Sequence, residues 1–387
     1  MKKILLLGAA VAMACSANAQ SVTKAWEVSM KDHGTTETRS IGATGKTALV
    51  PNSTTGKLEV WDATGKVKEY DVLTFVKEKG GESTAMGRGV STDEAGNIIM
   101  NVNFPAMTSC RTFMAIKPDG SMLYIPCEVP SGTDFVDGTS GRCDFLGDKT
   151  AGDVTDNAYI ITAPNACSYA LVFNIFEGEQ DKDFSYSVKI GAADNTEQWN
   201  TESTVIPLAP LGEEAESAPK FVAKNRSIAA SLRVSEDGQK AMEKSAVEFP
   251  GATTTNFTAF TVGGVEYVVL NKADGTARSH TWELCKLSDG SCVYRWDMPT
   301  GEAVNYMVGF ASTVNADGTV NIFQFNPGIR LAMYTFDPNG ASGINDVTAD
   351  DNAPVEYYNL QGVKVANPEG GIFIKKQGSK AEKVVVE

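Results

Sequence analysis

The chain has 387 residues, with 34 Lys and Arg against 48 Asp and Glu, and a formal net charge of -14. That balance supplies no global basic field, so neither nucleic acid nor an anionic membrane is an expected partner. Only two histidines are present, His33 and His280, which leaves little for a His-rich zinc site or a Ser-His-Asp triad.

Residues 1–19 have the layout of a secretory signal. Lys2 and Lys3 give the positive start, ILLLGAAVAMA is a short apolar core, and Ala17-Asn18-Ala19 is a small-x-small cleavage site before Gln20. A competing cleavage before Cys15, which would make a lipoprotein, is suggested by MAC. Ala12, however, stands where such signals usually carry leucine. Loss of Lys2 and Lys3 takes the charge from -14 to -16. No later stretch approaches the ~20 apolar residues of a spanning helix, so no transmembrane segment is expected. The mature chain is expected to be exported.

Residues 20–338 repeat one pattern. Six β-rich runs each end in a turn: KLEVWDATG from Lys57, TFMAIKPDG from Thr112, YALVFNIFEGE from Tyr169, IAASLRVSEDG from Ile228, TWELCKLSDG from Thr281 and LAMYTFDPNG from Leu331. The Asp-Gly, Glu-Gly, Asn-Gly and Thr-Gly endings are read as hairpin signals. The first five runs are followed by KVKEYDV, SMLYIPCEV, FSYSVKI, KSAVEF and CVYRWDM. Two further strands precede each run, as GRGVSTD and NIIMNVNF do in the second unit. Four antiparallel strands per unit, roughly 40–50 residues each, is the arithmetic of a β-propeller. The sixth run lacks a follower, while KAWEVSM at Lys24–Met30 lacks a hairpin partner. The predicted fold is therefore all-β: a six-bladed β-propeller closed by the N-terminal strand. A β-sandwich explains the strands but not the six-fold phase or the stray first strand.

Once Cys15 leaves with the signal, six cysteines remain, and export permits disulfides. Cys285 and Cys292 are equidistant from the turn LSDG and are expected to face each other. Cys110 and Cys127 flank the PDG hairpin one residue out of register, leaving Cys143 and Cys167. Buried free thiols are the competing reading, because a core this large needs no staple.

Propeller ligands usually bind where the connections into the first strands converge. The segments leading into those strands are TRSIG, GRGVS, GRCDF, ESTVI, TNFTA and VNYMV. Their second letters are Arg39, Arg88, Arg142, Ser203, Asn256 and Asn305. All are polar and three consecutive units contribute arginine, whose forked guanidinium suits carboxylate or sulfate. Trp199, in the inserted loop AADNTEQWNTES, offers a stacking surface for a sugar ring. Against this stands the plain alternative of salt bridges and surface charges.

Other motifs carry less. The run DGTSGRCDFLGDKTAGDVTD holds Asp134, Asp137, Asp144, Asp148, Asp153 and Asp156 without the spacing of a calcium loop, and solvated turns are expected. SIGATGKT mimics a phosphate loop but lacks its first glycine and a following helix. STDEAGN is only faintly like the Asp-box turn of sialidases, with the wrong spacing. His33 and His280 are expected at the surface or satisfied. No metal, cofactor or catalytic group is expected.

Residues 339–353 are small, acidic and turn-rich, a linker by composition. Residues 354–387 form a small β-module broken at Gln361-Gly362, at Pro368 to Gly371 and around Gly378. YYNLQGVKV, then GGIFIKK and a terminal KVVV, resembles the end of the C-terminal sorting domains of the type IX secretion system, common in secreted proteins of Bacteroidales. The resemblance implies recognition by that secretion machinery, a secreted or outer-membrane surface location, and removal of the tail. A periplasmic location and a simple packing module are the alternatives. Residues 20–338 distantly resemble secreted propeller proteins of the same bacteria, which implies no chemistry.

The resulting expectation is an exported binding protein with an acidic saccharide or peptide as ligand. The rivals are a polysaccharide lyase or glycosidase using carboxylates such as Asp144, and a protein-interaction scaffold at the cell surface.

Overall fold

The computed structural model describes residues 20–33, 41–52, 54–80, 89–102, 112–130, 143–146, 151–164, 169–189, 204–207, 221–225, 228–232, 247, 249, 257–273, 280–296, 309–340, 355–359, 364–366, 368, 370–377 and 380–386. The chain divides into two compact units, Ser21–Pro338 and a second that holds Asn339–Glu387.

The larger unit is a succession of antiparallel sheets. Sheet one runs β2 (Gly42–Thr44), β3 (Thr47–Asn52), β4 (Lys57–Asp62) and β5 (Gly65–Asp71). Sheet two is β6 (Val90–Thr92), β7 (Ile98–Asn101), β8 (Thr112–Ile116) and β9 (Met122–Pro126). Sheet three is β10 (Cys143–Leu146), β12 (Asn157–Pro164), β13 (Tyr169–Phe176) and β14 (Glu179–Lys189), with β11 (Ala151–Gly152) also on β12. Sheet four shows β15 (Thr204–Pro207), β16 (Phe221–Asn225) and β17 (Ile228–Leu232) among the described residues. Sheet five is β18 (Thr258–Val262), β19 (Val265–Ala273), β20 (His280–Lys286) and β21 (Cys292–Trp296). Sheet six is β22 (Gly309–Val314), β23 (Val320–Asn326) and β24 (Arg330–Asp337), with β1 (Ser21–Ser29) as its outer strand. β1 pairs with β24 from Ser21 opposite Asp337 to Ser29 opposite Arg330.

Turn chemistry explains where strands three and four reverse in sheets one, two and five. Asp62, Asp119 and Asp289 each accept a bond through Oδ1 from the backbone N–H two residues on, at 2.7, 2.8 and 2.9 Å. Asp317 does the same between β22 and β23, and Asp153 between β11 and β12. The short carboxylate mimics a backbone turn and fixes the reversal. These bonds from Thr or Ser hold the Asp62, Asp119, Asp289 and Asp317 carboxyls below their ordinary pKa. SIGATGKT accordingly forms the β2–β3 hairpin rather than a phosphate loop.

Among the described residues, sheets six, one and two are apolar on both faces because each face meets a neighbouring sheet. In β3, Ala48 and Val50 join Phe323, Phe325 and Met333 of sheet six, while Leu49 on the other face joins Val90 and Met100 of sheet two. Ile99, Phe113 and Ile125 of sheet two meet Ile160, Leu171 and Phe173 of sheet three. Phe260, Tyr267, Trp282 and Leu284 of sheet five meet Ile322, Tyr334 and Phe336 of sheet six. The first strands follow one another: β22 lies against β2, β2 against β6, β6 against β10, β10 against β15, and β18 against β22. Consecutive meanders stacked through their first strands make the unit β-propeller-like.

Close approach where β2 meets β6 selects glycine. A Cβ on Gly42 would lie 2.8 Å from Val90 Cγ1, whereas one on Gly309 would make only ordinary contact with Ile41 at 3.4 Å. Polar clasps reinforce the seams. Asn321 Nδ2 donates to Gly45 O at 2.9 Å across sheets six and one, and Thr92 Oγ1 to Ala43 O at 3.2 Å across one and two. Asn97 Nδ2 reaches both Asp93 and Asp153 across two and three, and Thr258 meets Ser312 across five and six.

A helix, α1 (Val72–Glu78), departs from the all-strand reading. The run DVLTFV looks like a strand continuing, but Asp71 caps it, accepting from Thr74 N at 3.0 Å. Val72 and Val76 then bury against the sheet one–sheet two seam. The C-terminal sheet has the order β26 (Lys364–Val365), β25 (Val355–Tyr358), β27 (Gly371–Gln377), β28 (Lys380–Val386), its strands stopping at the glycine and proline breaks. No helix among the described residues is long and apolar enough to cross a membrane.

Candidate functional site

The seven residues singled out for ligand binding, Arg39, Arg88, Arg142, Ser203, Asn256, Asn305 and Trp199, all lie outside the described residues. What the structure gives is where the chain goes next. β2 begins at Gly42, β6 at Val90, β10 at Cys143, β15 at Thr204, β18 at Thr258 and β22 at Gly309. Each of the six non-aromatic positions therefore precedes the first strand of a different sheet by one to four residues.

The best described part of this end of the unit is where sheets six and one meet. The Met30–His33 turn, closed by His33 N to Met30 O at 3.1 Å, leads toward Arg39, and Met30 N donates to Ile329 O. His33 Nε2 lies 2.9 Å from Glu59 Oε2, with both side chains buried. Glu59 also accepts from Asn52 Nδ2 at 3.1 Å and Trp61 Nε1 at 3.0 Å, and Lys66 Nζ stands 3.5 Å away. Burial alone would raise the Glu59 pKa. Bonds from His33 and Asn52, the His33 charge and the Trp61 bond outweigh it and hold the carboxyl at about 2. The His33 ring sits edge-on to Trp61 and Phe325, and its Nδ1 is buried without a hydrogen-bond partner.

Asn52 ties this network to the surface: Nδ2 also donates to His33 O, and Oδ1 accepts from Thr54 N and Thr55 N. The cluster thus pins both the β1–β2 connection and the β3–β4 turn. Its histidine is too buried to act as a base on an external substrate, so it positions rather than reacts. Sequence reasoning placed His33 at the surface or satisfied, and it is neither fully. The missed signal is Asn closing second strands: Asn52, Asn101 and Asn326 end β3, β7 and β23.

Of the aspartates in the third unit, Asp153 sits in a turn. Burial pushes its carboxyl up, yet bonds from Thr155 N and Oγ1 and from Asn97 hold it below the ordinary value. The side chain of Asp144 lies outside the described residues. His280 is described only in its backbone. Cys285 and Cys292 are opposite one another in register, beside a bulge at Leu284. Cys285 Sγ lies 3.7 Å from Glu283 Oε2, and Cys292 Sγ lies 3.4 Å from Tyr294 O. Cys127 is a buried free thiol whose pKa burial pushes up. Cys110, Cys167 and the Cys143 side chain lie outside the described residues.

No known protein family matches the sequence. No curated protein matches it either. Among solved structures, a streptogramin B lyase aligns over 81% of this chain and 98% of its own, with TM-score 0.44 and 9% identity. Virginiamycin B lyase from Staphylococcus aureus aligns over 82% and 99%, with TM-score 0.44 and 10% identity. BBS1N, solved in complex with ARL6DN, aligns over 82% and 98%, with TM-score 0.41 and 10% identity. Likeness at this distance assigns no chemistry to the present chain.

Proposed function

We propose that residues 20–338 form a six-bladed propeller, closed into a ring by β1, that binds an acidic saccharide or peptide. The ligand sits at the end where Arg39, Arg88, Arg142, Ser203, Asn256 and Asn305 lead into the first strands. One observation carries this reading: each position precedes the first strand of a different sheet, and neighbouring first strands lie against one another at five seams. Groups delivered by such a set converge on a common axis, and arginine from three consecutive sheets gives the convergence a positive sign. On a chain of net charge -14 a local cationic mouth selects anions by forked, charge-assisted bonds. Trp199 supplies a stacking face at the same rim. The residues before Gln20 direct export, and the module of residues 354–387 is the sorting signal that takes the protein to the cell surface.

Thermal-shift titration of the purified full chain tests the ligand class. Uronic or sulfated saccharides should raise the melting temperature, less so at higher salt, and Arg88→Ala should abolish the rise. A shift that survives Arg88→Ala, or none with any anionic saccharide or acidic peptide, refutes the rim as an anion site.

A further inference from the structure

Sheet five carries a bulge on its outer strand that changes which side chain faces Cys285. Trp296, Arg295 and Tyr294 of β21 pair in turn with Trp282, Glu283 and Leu284 of β20, so an even ladder would put Val293 opposite Cys285. The register slips there, and Cys292 takes that place instead. Bulges re-aim side chains in this way. The turn that follows β20 is closed by Lys286 N to Ser291 O at 3.0 Å, and Asp289 Oδ1 accepts from Ser291 N at 2.9 Å. Cys292 is thus held from both sides.

Glu283 and Cys285 are two apart on β20 and project from the same face. Cys285 Sγ, Cys292 Sγ and a carboxyl oxygen of Glu283 all lie within 4.8 Å of one another. Cys285 Sγ stands 3.7 Å from Glu283 Oε2. Around a tetrahedral zinc ion, with bonds of about 2.3 Å to sulfur and about 2.1 Å to oxygen, the edge between two such ligands is about 3.6 Å. The other carboxyl oxygen is engaged, because Arg295 Nη2 donates to Glu283 Oε1 at 2.5 Å. That bond fixes the carboxylate and leaves Oε2 turned to the sulfur, as partners behind metal ligands do. Val268 and Leu270 of β19, opposite Cys285 and Glu283, back the group with apolar surface. Glu283 and Cys285 are buried and Cys292 is exposed, so a cation can enter from the Cys292 side.

The geometry points to a site for a zinc-class cation at the outer edge of sheet five, held by Glu283 Oε2, Cys285 Sγ and Cys292 Sγ. The donor set selects the class. Calcium and magnesium take shells of oxygen, whereas thiolates favour zinc and its softer neighbours. Charge selects it as well. Two thiolates and a carboxylate bring three negative charges, Arg295 returns one positive, and a divalent ion closes the sum at zero. Binding releases the two thiol protons to water and oxidises nothing. An ion of this size sits between its ligands and needs no cavity wider than their separation. Three protein ligands leave a fourth position, on the exposed Cys292 side, to water or a partner's donor. A disulfide between the two cysteines would use the same sulfurs, but it gives Glu283 and Arg295 no part. The site lies on sheet five alone and does not depend on the arginine rim.

The test is titration of the full chain, reduced and treated with a chelator, with cobalt(II) and then zinc. Cobalt adopts the zinc geometry and reports thiolate ligation by a charge-transfer band in the near ultraviolet. The wild type should show that band, and zinc should displace the cobalt and raise the melting temperature. Cys292→Ser alters an exposed position and should fold as the wild type does. It should lose at least about half of the band and bind at least about tenfold more weakly. Glu283→Gln should keep the band, since both thiolates remain, and bind at least about tenfold more weakly. No band in the reduced wild type would overturn the site. So would a band undiminished in Cys292→Ser, which would put the ion on other cysteines, or equal protection of both proteins by zinc. A Cys285–Cys292 disulfide found by mass spectrometry, with no band after its reduction, would assign the pair to a covalent bridge instead.

Discussion

Glu59 is a carboxylate sealed in the seam between two sheets, and its ionised form survives because three donors converge on it. Linkage turns that arrangement into a pH dependence. The unfolded carboxyl takes its proton near 4.5 and the folded one only near 2, so the group stabilises the fold above pH ~4.5 and loses that contribution as pH falls toward 2. A depression of that size corresponds to on the order of 3 kcal/mol at neutral pH. Glu59→Gln should therefore destabilise the protein by up to about that amount at pH 7, and the gap to wild type should close between pH 4.5 and 2. Urea melts at successive pH values measure it, and a gap that stays constant across that window contradicts the account. None of this is visible in the string KLEVWD. A glutamate amid apolar residues reads as one more outward-facing position, and only the fold brings His33, 26 residues away, onto it. Gln324 and Asn326, both buried, hide for the opposite reason: the alternation of VNIFQFN marks them as facing one way, but not that the way leads inward.

At the level of elements, turn chemistry was far more legible than strand interiors. The six third-strand runs are marked by their Asp-Gly, Glu-Gly, Asn-Gly and Thr-Gly endings, and β4, β8, β13, β17, β20 and β24 begin within one residue of the predicted starts. This works because an Asx turn is a local event, settled by the carboxylate and the N–H two residues on. Helix α1 was missed because VLTFV satisfies strand preference as well as any strand does, and the cap on Asp71 decided the outcome. The seams depend instead on long-range packing. Phe173, fully buried, meets Phe113 of the neighbouring sheet with ring centroids 5.5 Å apart. Phe173→Ala should cost about 3–5 kcal/mol, read as a lower denaturant midpoint with an unchanged m-value. A loss below about 1 kcal/mol would mean that sheets two and three are not held by this contact.

At the level of the larger unit, everything turns on β1. The chain begins and ends that unit in the same sheet: Ser21–Ser29 is hydrogen-bonded to Arg330–Asp337, so the two ends of the unit are joined by a ladder with no covalent link beneath it. Trp26 and Val28 cover the core that includes Phe323, Leu331 and Met333. Without β1, β24 becomes a bare edge with apolar neighbours exposed, a template for pairing with another chain. The pairing of β1 with β24 is legible in the sequence, because KAWEVSM has no hairpin partner and LAMYTFDPNG has no follower; two local deficits of the same kind imply each other. A chain starting at Met30 should melt well below the intact protein and form dimers or larger aggregates by light scattering. Adding a synthetic peptide of residues 20–30 should restore both the particle size of the intact chain and most of the melting temperature, since the ladder asks only for the strand and not for its connection. If the truncated chain scatters like the intact one and is equally stable, β1 is an accessory strand and sheet six is held by its other contacts. If truncation destabilises but the peptide never rescues, the covalent path from β1 through the Met30–His33 turn, rather than the ladder, is what fastens sheet six to sheet one.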